Sequence, residues 1–414
     1  MPEINSGDTA WVLVSAALVL FMTPGLALFY GGMVRAKNAL AMLMQNFFAM
    51  GIVTVLWVLF GYTLAFGDFG NGGWIGNFDF AGLKDVANTT PTFAPAIPTL
   101  AFVAFQLTFA VITPALITGA IADRLRFNAW VWFIALWSIL VYLPVAHWVF
   151  AGGWLAERGA LDFAGGTVVH VNAGAGALAL VLLLGKRRGW PRDPMPPHSL
   201  PFTLLGTGIL WFGWFGFNAG SALAANGIAA QAFINTFTAA AAAMLGWLIV
   251  ERIKSGHATT LGAASGAVAG LVAITPCAGF VGAMSAVAIG AIAGAVCFLA
   301  ISLKFKYGYD DALDVVAVHL VGGVIGSILL GLFADKAINP AGADGVFLGG
   351  GWSLFGEQVL AVAVVLVFSF VVSGVIALVL RAVLPGGIRV TEEEEQTGLD
   401  LTQHSETGYA LERV

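Results

Sequence analysis

Charge is scarce in this sequence. Lys, Arg, Asp and Glu make up 10% of the 414 residues, against roughly 25% in a soluble domain. Cysteine is nearly absent too. Cys277 and Cys297 are the two present; both lie in apolar runs, as small core residues rather than as a disulfide or metal site. The net charge of -5 comes without any basic patch interleaved with aromatics, which excludes a nucleic-acid partner. Met1 to Ala10 holds no basic residue, so a classical secretory leader is not expected and the first apolar run should be retained. The apolar stretches carry no nucleophile–base pair, metal-ligand cluster or phosphate-binding glycine loop. No enzyme, cofactor or metal is therefore expected.

What remains is apolar. Hydrophobic residues make up 59% and the mean hydropathy is +0.90. No soluble shape of this size hides that much apolar side chain, so the bilayer must be the solvent. The expected class is an all-α integral membrane protein. Runs of about 20 apolar residues, the length of a spanning helix, lie near Trp11–Met33, Leu40–Phe66, Ala96–Ala122, Trp130–Phe150, Gly166–Leu184, Leu200–Phe217, Ala229–Val250, Ala258–Ile274, Val281–Leu303, Val315–Phe333 and Val359–Val383. That makes about eleven, of which the eighth, dominated by glycine and alanine, is the weakest.

Basic residues collect in alternate gaps. Arg35 and Lys37, Arg124 and Arg126, the cluster Lys186 to Arg192, Arg252 and Lys254, Lys304 and Lys306, and Arg381 and Arg389 follow the odd-numbered runs. Only Lys84, Arg158 and Lys336 fall in the other gaps. Positive residues mark the cytoplasmic side, so the N-terminus is expected outside and the C-terminus inside. The membrane domain then occupies residues 1–386, with repeat halves at about 8–190 and 198–335 and a last helix at about 352–384. Residues 387–414 form a cytoplasmic tail.

The halves echo one another. Asp162 precedes His170 by the spacing that separates Asp311 from His319; Phe29-Tyr30-Gly31-Gly32 echoes Phe217-Asn218-Ala219-Gly220; Ile112-Thr113-Pro114 echoes Ile274-Thr275-Pro276. Five helices are an odd number, so the second copy enters from the opposite side. Such an inverted five-plus-five repeat places a substrate path at its interface near the midplane.

Ionisable residues inside spans are costly and point to function. His170 and His319 are the pair in question, related by the repeat and able to hydrogen-bond ring to ring. Asp162 opens the fifth helix and Asp310, Asp311 and Asp314 the tenth. A carboxylate there caps free N–H groups, and Asp162 can also draw a cation to the outer mouth. His147 reads as structural, and His198, His257 and His404 as solvated. Phe105, Phe109, Trp148, Phe150, Trp214, Phe215 and Phe217 fall near outer helix ends. Most tryptophans suit an interfacial belt, and a few rings suit a small cation bound on their faces.

Stretches along nearly the whole chain carry a resemblance. They are TPGLALFYGGMVRAKN (Thr23–Asn38), FQLTFAVITPALITGAIADR (Phe105–Arg124), GALDFAGGTVVHVNAG (Gly159–Gly174), GWFGFNAGS (Gly213–Ser221), GAVAGLVAITP (Gly266–Pro276), DDALDVVAVHLVGG (Asp310–Gly323) and GIRVTEEEEQTGLDLTQH (Gly387–His404). In these the chain resembles the ammonium transporter (Amt/Mep/Rh) family, bacterial Amt type. The resemblance implies a homotrimer in the plasma or inner membrane with one narrow pore per subunit, carrying ammonium or ammonia. Phe109, Phe217 and Ser221 would recruit ammonium at an outer vestibule, with Asp162 behind it. Phe109 and Phe217 would stack as a gate, and His170 and His319 would line the pore. Where the family often has a vestibule tryptophan, twelve residues before the aspartate, this chain has Phe150, and Trp148, Trp214 and Phe105 are candidates to support it. The resemblance further implies that the acidic tail packs on the cytoplasmic face, where a PII-type signalling protein docks in bacterial relatives. The competing expectations are an ammonium sensor and a passive channel for ammonia or another small gas.

Overall fold

Among the described residues, 3–409 of this computed structural model, eleven helices form the body. They are α1 (Ser6–Met33), α2 (Ala36–Phe66), α3 (Thr99–Ile121), α4 (Phe127–Glu157), α5 (Gly166–Leu184), α6 (Leu200–Gly220), α7 (Gly227–Ser255), α8 (Thr260–Ile274), α9 (Ala283–Tyr307), α10 (Val316–Phe333) and α11 (Ser353–Val383). Ten are long and apolar enough to cross a bilayer. The eighth has 15 residues, about 22 Å of helix, short of the ~30 Å hydrocarbon core. It is buried almost from end to end, Gly262 to Ile274, so protein rather than lipid surrounds it. Its glycines and alanines make it thin enough to be enclosed.

The arrangement follows from which helices keep apolar side chains exposed. Helices α3 and α5 are buried on nearly all sides and form the centre. Helices α7, α9 and α11 show Phe237, Ile249, Leu299, Val367 and Val375 outward, an apolar surface that water would not tolerate over so large an area and that lipid accepts.

Helices paired by the sequence echoes meet. Helix α1 lies along α6 and α5 against α10. A Cβ on Gly206 would stand 2.3 Å from the Phe29 backbone nitrogen, and one on Gly174 2.5 Å from that of Leu320. Small residues at these points let the backbones approach, as helices packed within lipid require. Helices α5 and α10 run in opposite senses and overlap by their first turns, each of which is wound as a π-helix, Gly166–Val171 and Val316–Val321. Single π turns mark functional sites in many helices.

The basic residues of the alternate gaps gather at one end of the bundle. Arg35 pairs with Asp123 at 3.0 Å, Arg187 with Asp310 at 2.9 Å, and Arg389 with Glu395 at 2.9 Å. The tail folds onto this end as α12 (Glu392–Thr397) and α13 (Leu399–His404). Thr391 and Glu394 form a capping box at the start of α12, and Asp400 accepts the backbone N–H groups of Leu40 and Ala41 at 3.1 and 2.8 Å. Residues 410–414 of the expected tail lie outside the described residues.

Two expectations change here. Asp310 does not open α10; it is buried against Arg187. Burial opposes its charge, but the hydrogen bonds and charge of Arg187, with Arg124 behind, hold the carboxyl below its usual range. Nor is His198 free in water. Its Nδ1 donates to the Val34 carbonyl at 2.9 Å and its Nε2 meets the Tyr409 hydroxyl at 2.7 Å.

Candidate conduction pathway

At the end opposite the tail, a cavity of about 190 Å³ opens between α3, α4, α6 and the segment leading into α5. Phe109, Phe150, Asp162 and Ser221 line it, joined by Phe93, Phe102, Gln106, Val149, Phe163 and Leu223. The polypeptide before α5 is irregular, and within a membrane its N–H groups must find partners inside the protein. Asp162 supplies them. One carboxylate oxygen accepts from Gly165 and Gly166, each at 2.7 Å, and the other from the Thr167 N–H at 2.8 Å, the Thr167 hydroxyl at 2.5 Å and Val168 at 3.2 Å. Its charge borders the cavity while its lone pairs hold the start of α5. Ser221 is placed by the end of α6. Its hydroxyl donates to the Phe217 carbonyl at 2.8 Å, which leaves its oxygen lone pairs to accept from a donor in the cavity.

Rings close the cavity floor. Phe109 and Phe217 have centroids 4.2 Å apart and planes tilted by 34°, and each is 1% exposed. Phe150 stands edge-on to Phe109 at 6.5 Å. Below them the His170 ring stacks with Phe217 at 6.2 Å and with Trp214 at 5.5 Å, and the His319 ring follows at 5.4 Å. The two histidines meet because the antiparallel α5 and α10 overlap by their first turns, and each histidine lies there. The lumen around them measures about 10 Å³ and has otherwise apolar walls, including Leu26, Ile112, Leu116, Val169, Leu210 and Val268. That is about the room one water molecule needs. No Asp, Glu, Lys or Arg lines it.

The hydrogen bonds assign the ring protons. The Tyr30 hydroxyl donates to the Leu116 carbonyl at 3.2 Å, so its oxygen accepts from His319 Nε2–H at 3.4 Å. His319 Nδ1 then carries a lone pair and accepts from His170 Nδ1–H at 3.3 Å. A neutral imidazole donates from one nitrogen only, which leaves His170 Nε2 a bare acceptor. That atom is buried and has no partner among the described residues. The hydrogen-bonded row Tyr30, His319, His170 thus ends in a base facing a nearly dry lumen.

Three residues expected near the vestibule stand elsewhere. Trp214 is one helical turn before Phe217 on α6, so it lies deeper, in the lumen wall, with its indole N–H on the Thr275 hydroxyl at 2.9 Å. Trp148 turns away toward Trp74, whose carbonyl accepts its indole N–H at 2.7 Å, and packs on Phe368. Phe105 is buried behind Phe109, edge-on at 4.9 Å. Sequence reasoning assigned no site role to Tyr30, Phe93, Phe102 and Gln106. Tyr30 sits inside one of the repeat echoes, which was its available signal; Phe93 comes from a loop without a pattern. His147 is tied by Nδ1 to the Ala65 carbonyl at 2.8 Å, a structural bond.

The family model described as the Ammonium Transporter Family matches residues 10–409. The chain belongs to that family. An ammonium transporter of Bacillus subtilis is 53% identical over 407 residues, covering 98% of this chain and 99% of the relative. One of Mycobacterium tuberculosis is 53% identical over 434 residues, covering 98% and 90%. Among solved structures, Mep2 of Saccharomyces cerevisiae superposes with a TM-score of 0.87 at 37% identity, covering 94% of this chain and 91% of that one. A structure titled Sensor Amt Protein superposes at 0.88 with 31% identity, covering 96% and 98%. As a member of the Ammonium Transporter Family, this multi-pass protein of the cell membrane belongs with transporters and not with enzymes.

Proposed function

We propose that this chain carries ammonium nitrogen across the cell membrane by taking up ammonium, releasing its proton and passing ammonia through the dry lumen. The observation that carries the reading is the stack of Phe109 and Phe217 closing a cavity that holds Asp162 and Ser221 above an uncharged lumen. In the cavity the Ser221 oxygen accepts one ammonium N–H. The faces of Phe150 and Phe109 attract the cation, and Asp162 adds a fixed negative charge. Below the rings a bare cation would cost several kcal/mol or more, whereas ammonia is neutral and small. The His170 Nε2 lone pair is the base that receives the proton, and the His170–His319–Tyr30 row is its route. Potassium has no proton to release and is refused.

The wider arrangement belongs to the same proposal. The vestibule faces outside and the tail end faces the cytoplasm, in keeping with the basic residues gathered there. The protein acts as a homotrimer, and the tail end receives a PII-type signalling protein.

The test is a rapid ammonium pulse on proteoliposomes with current recorded, repeated with potassium and with His170→Ala/His319→Ala. An ammonium-specific current that the double variant loses supports proton passage along the histidines. Internal alkalinisation that needs the protein but comes without current would make it a neutral ammonia channel, with the histidines as lumen lining only.

A further inference from the structure

The repeat sets two carboxylates in equivalent places, one before each π turn, and only one of them is used up by the backbone. Asp162 fills both oxygens with four N–H groups and a hydroxyl. Asp311 is 1% exposed, and one oxygen accepts the Val316 N–H at 2.7 Å. Its other oxygen, Oδ1, is buried with no partner among the described residues. Lys304 does not bond this oxygen: it donates to the Asp311 backbone carbonyl at 3.2 Å and pairs with Asp314 at 2.6 Å. A buried anionic oxygen without a hydrogen-bond donor is costly, and protonation is the usual relief.

Its position matches that need. The Ala312 N–H bonds the Ala120 carbonyl at 3.2 Å, which fixes this segment beside α3. One residue away, a Cβ on Gly119 would stand 2.6 Å from Tyr30 Cζ and 2.8 Å from Val315 Cγ2. The phenol that ends the histidine row and the segment carrying Asp311 therefore pack side by side on the Gly119–Ala120 stretch of α3. We propose that Asp311 is the proton acceptor on this half of the path, taking the proton that leaves His319 by way of Tyr30 and releasing it to water on the tail side. The step is a transfer only. An N–H bond of the His319 imidazolium breaks, the Asp311 Oδ1–H bond forms, and the same proton later leaves to water while the carboxylate returns. The groups that set its charge are Tyr30, Tyr309, Asp314 and Lys304. Burial first, then Asp314, raise the Asp311 carboxyl to about 6, with Lys304 and the N–H groups of Val316 and Val315 pulling against them.

The inference rests on the electrogenic reading above, and the experiment separates the two. The ammonium-pulse current is recorded for wild type, Asp311→Asn and Asp311→Glu. Asparagine keeps an acceptor for Val316 but holds no titrating proton. The expected result is a current lower by about a hundredfold in Asp311→Asn, the scale of a lost acid–base group, and largely kept in Asp311→Glu. Infrared difference spectra of the wild type between about pH 5 and about pH 8, bracketing an elevated carboxyl, should show a buried carboxylic acid band. Asp311→Glu should shift that band. A wild type without ammonium current overturns the electrogenic reading. A current in Asp311→Asn equal to wild type, or a wild-type spectrum without such a band, overturns the role of Asp311, and the spectrum decides even if Asp311→Asn does not assemble.

Discussion

At the scale of single residues, the vestibule is tuned by ring size and by what holds each polar atom. Phe150 faces the cavity with a smaller quadrupole than an indole would offer. Phe150→Trp should tighten ammonium recruitment by about 0.5–2 kcal/mol, read as a lower half-saturation concentration with the maximal current little changed. Ser221→Ala should act in the opposite direction by about 1 kcal/mol, because the Ser221 oxygen is the acceptor that its bond to Phe217 leaves free. Competition by methylammonium in the same pulse assay measures both. Asp162→Ala belongs to another class. It strips acceptors from four backbone N–H groups inside the membrane, so its first effect should be loss of folded protein, seen as early aggregation on heating in detergent.

At the scale of elements, the decisive contact is the crossing of α5 and α10. It brings the two π turns together only because Gly174 admits the Leu320 backbone. Gly174→Leu should cost at least about 1–3 kcal/mol by overpacking, and it should also part the histidine rings. Gly374→Leu, on α11 with open space around its Cβ position, is the control. The melting temperature in detergent should fall for the first and hold for the second, and the ammonium current should follow the same order. The short α8 shows a complementary logic. Its start lies at the surface, where the Thr259 cap and the Glu251 carboxylate that accepts from Thr259 satisfy free N–H groups, while the rest of the helix is enclosed by protein.

At the scale of the molecule, the two halves are tied together at the tail end. Arg187 follows α5 and Asp310 precedes α10, and both are buried, 7% and 0% exposed at their side chains. Asp310→Asn leaves the guanidinium with the longer contact to Asp123, at 3.5 Å, as its ion pair, at a cost of about 3–5 kcal/mol. The sign with pH follows from the lowered carboxyl. Its stabilisation is fully present above the unfolded value of about 4 and fades as pH falls through the lower folded value. Unfolding midpoints of wild type and variant should therefore differ by a constant amount above about pH 5 and converge below about pH 4. The tail is held more lightly. Asp400→Ala removes the acceptor for Leu40 and Ala41 and should loosen α13 by about 1 kcal/mol, seen as faster protease cleavage after α11 with the helical body intact.

How much of this could be read without coordinates follows from what each feature depends on. Composition and run length depend only on the solvent, and lipid permits little besides apolar helices, so the helix runs, including the weak eighth one, lay in the sequence. Basic residues in alternate gaps and the Asp–His spacings pointed to one charged end and to a repeat, and motif likeness pointed to the family. Depth and direction were different. Trp214, Phe215 and Phe217 are neighbours in the chain, yet helix rotation puts Trp214 against His170 and Phe217 under Phe109 while Phe215 faces Phe233. Three aspartates near the start of α10 looked alike as caps. Only packing made Asp310 the partner of Arg187, Asp314 the partner of Lys304, and Asp311 the one with an idle oxygen. The sequence by itself determined that the chain lives in a bilayer and where its helices lie, because transfer from water is a sum over residues. The tertiary structure alone decided which atoms meet, because that depends on how two helices cross, and crossing is set by contacts between residues far apart in the chain.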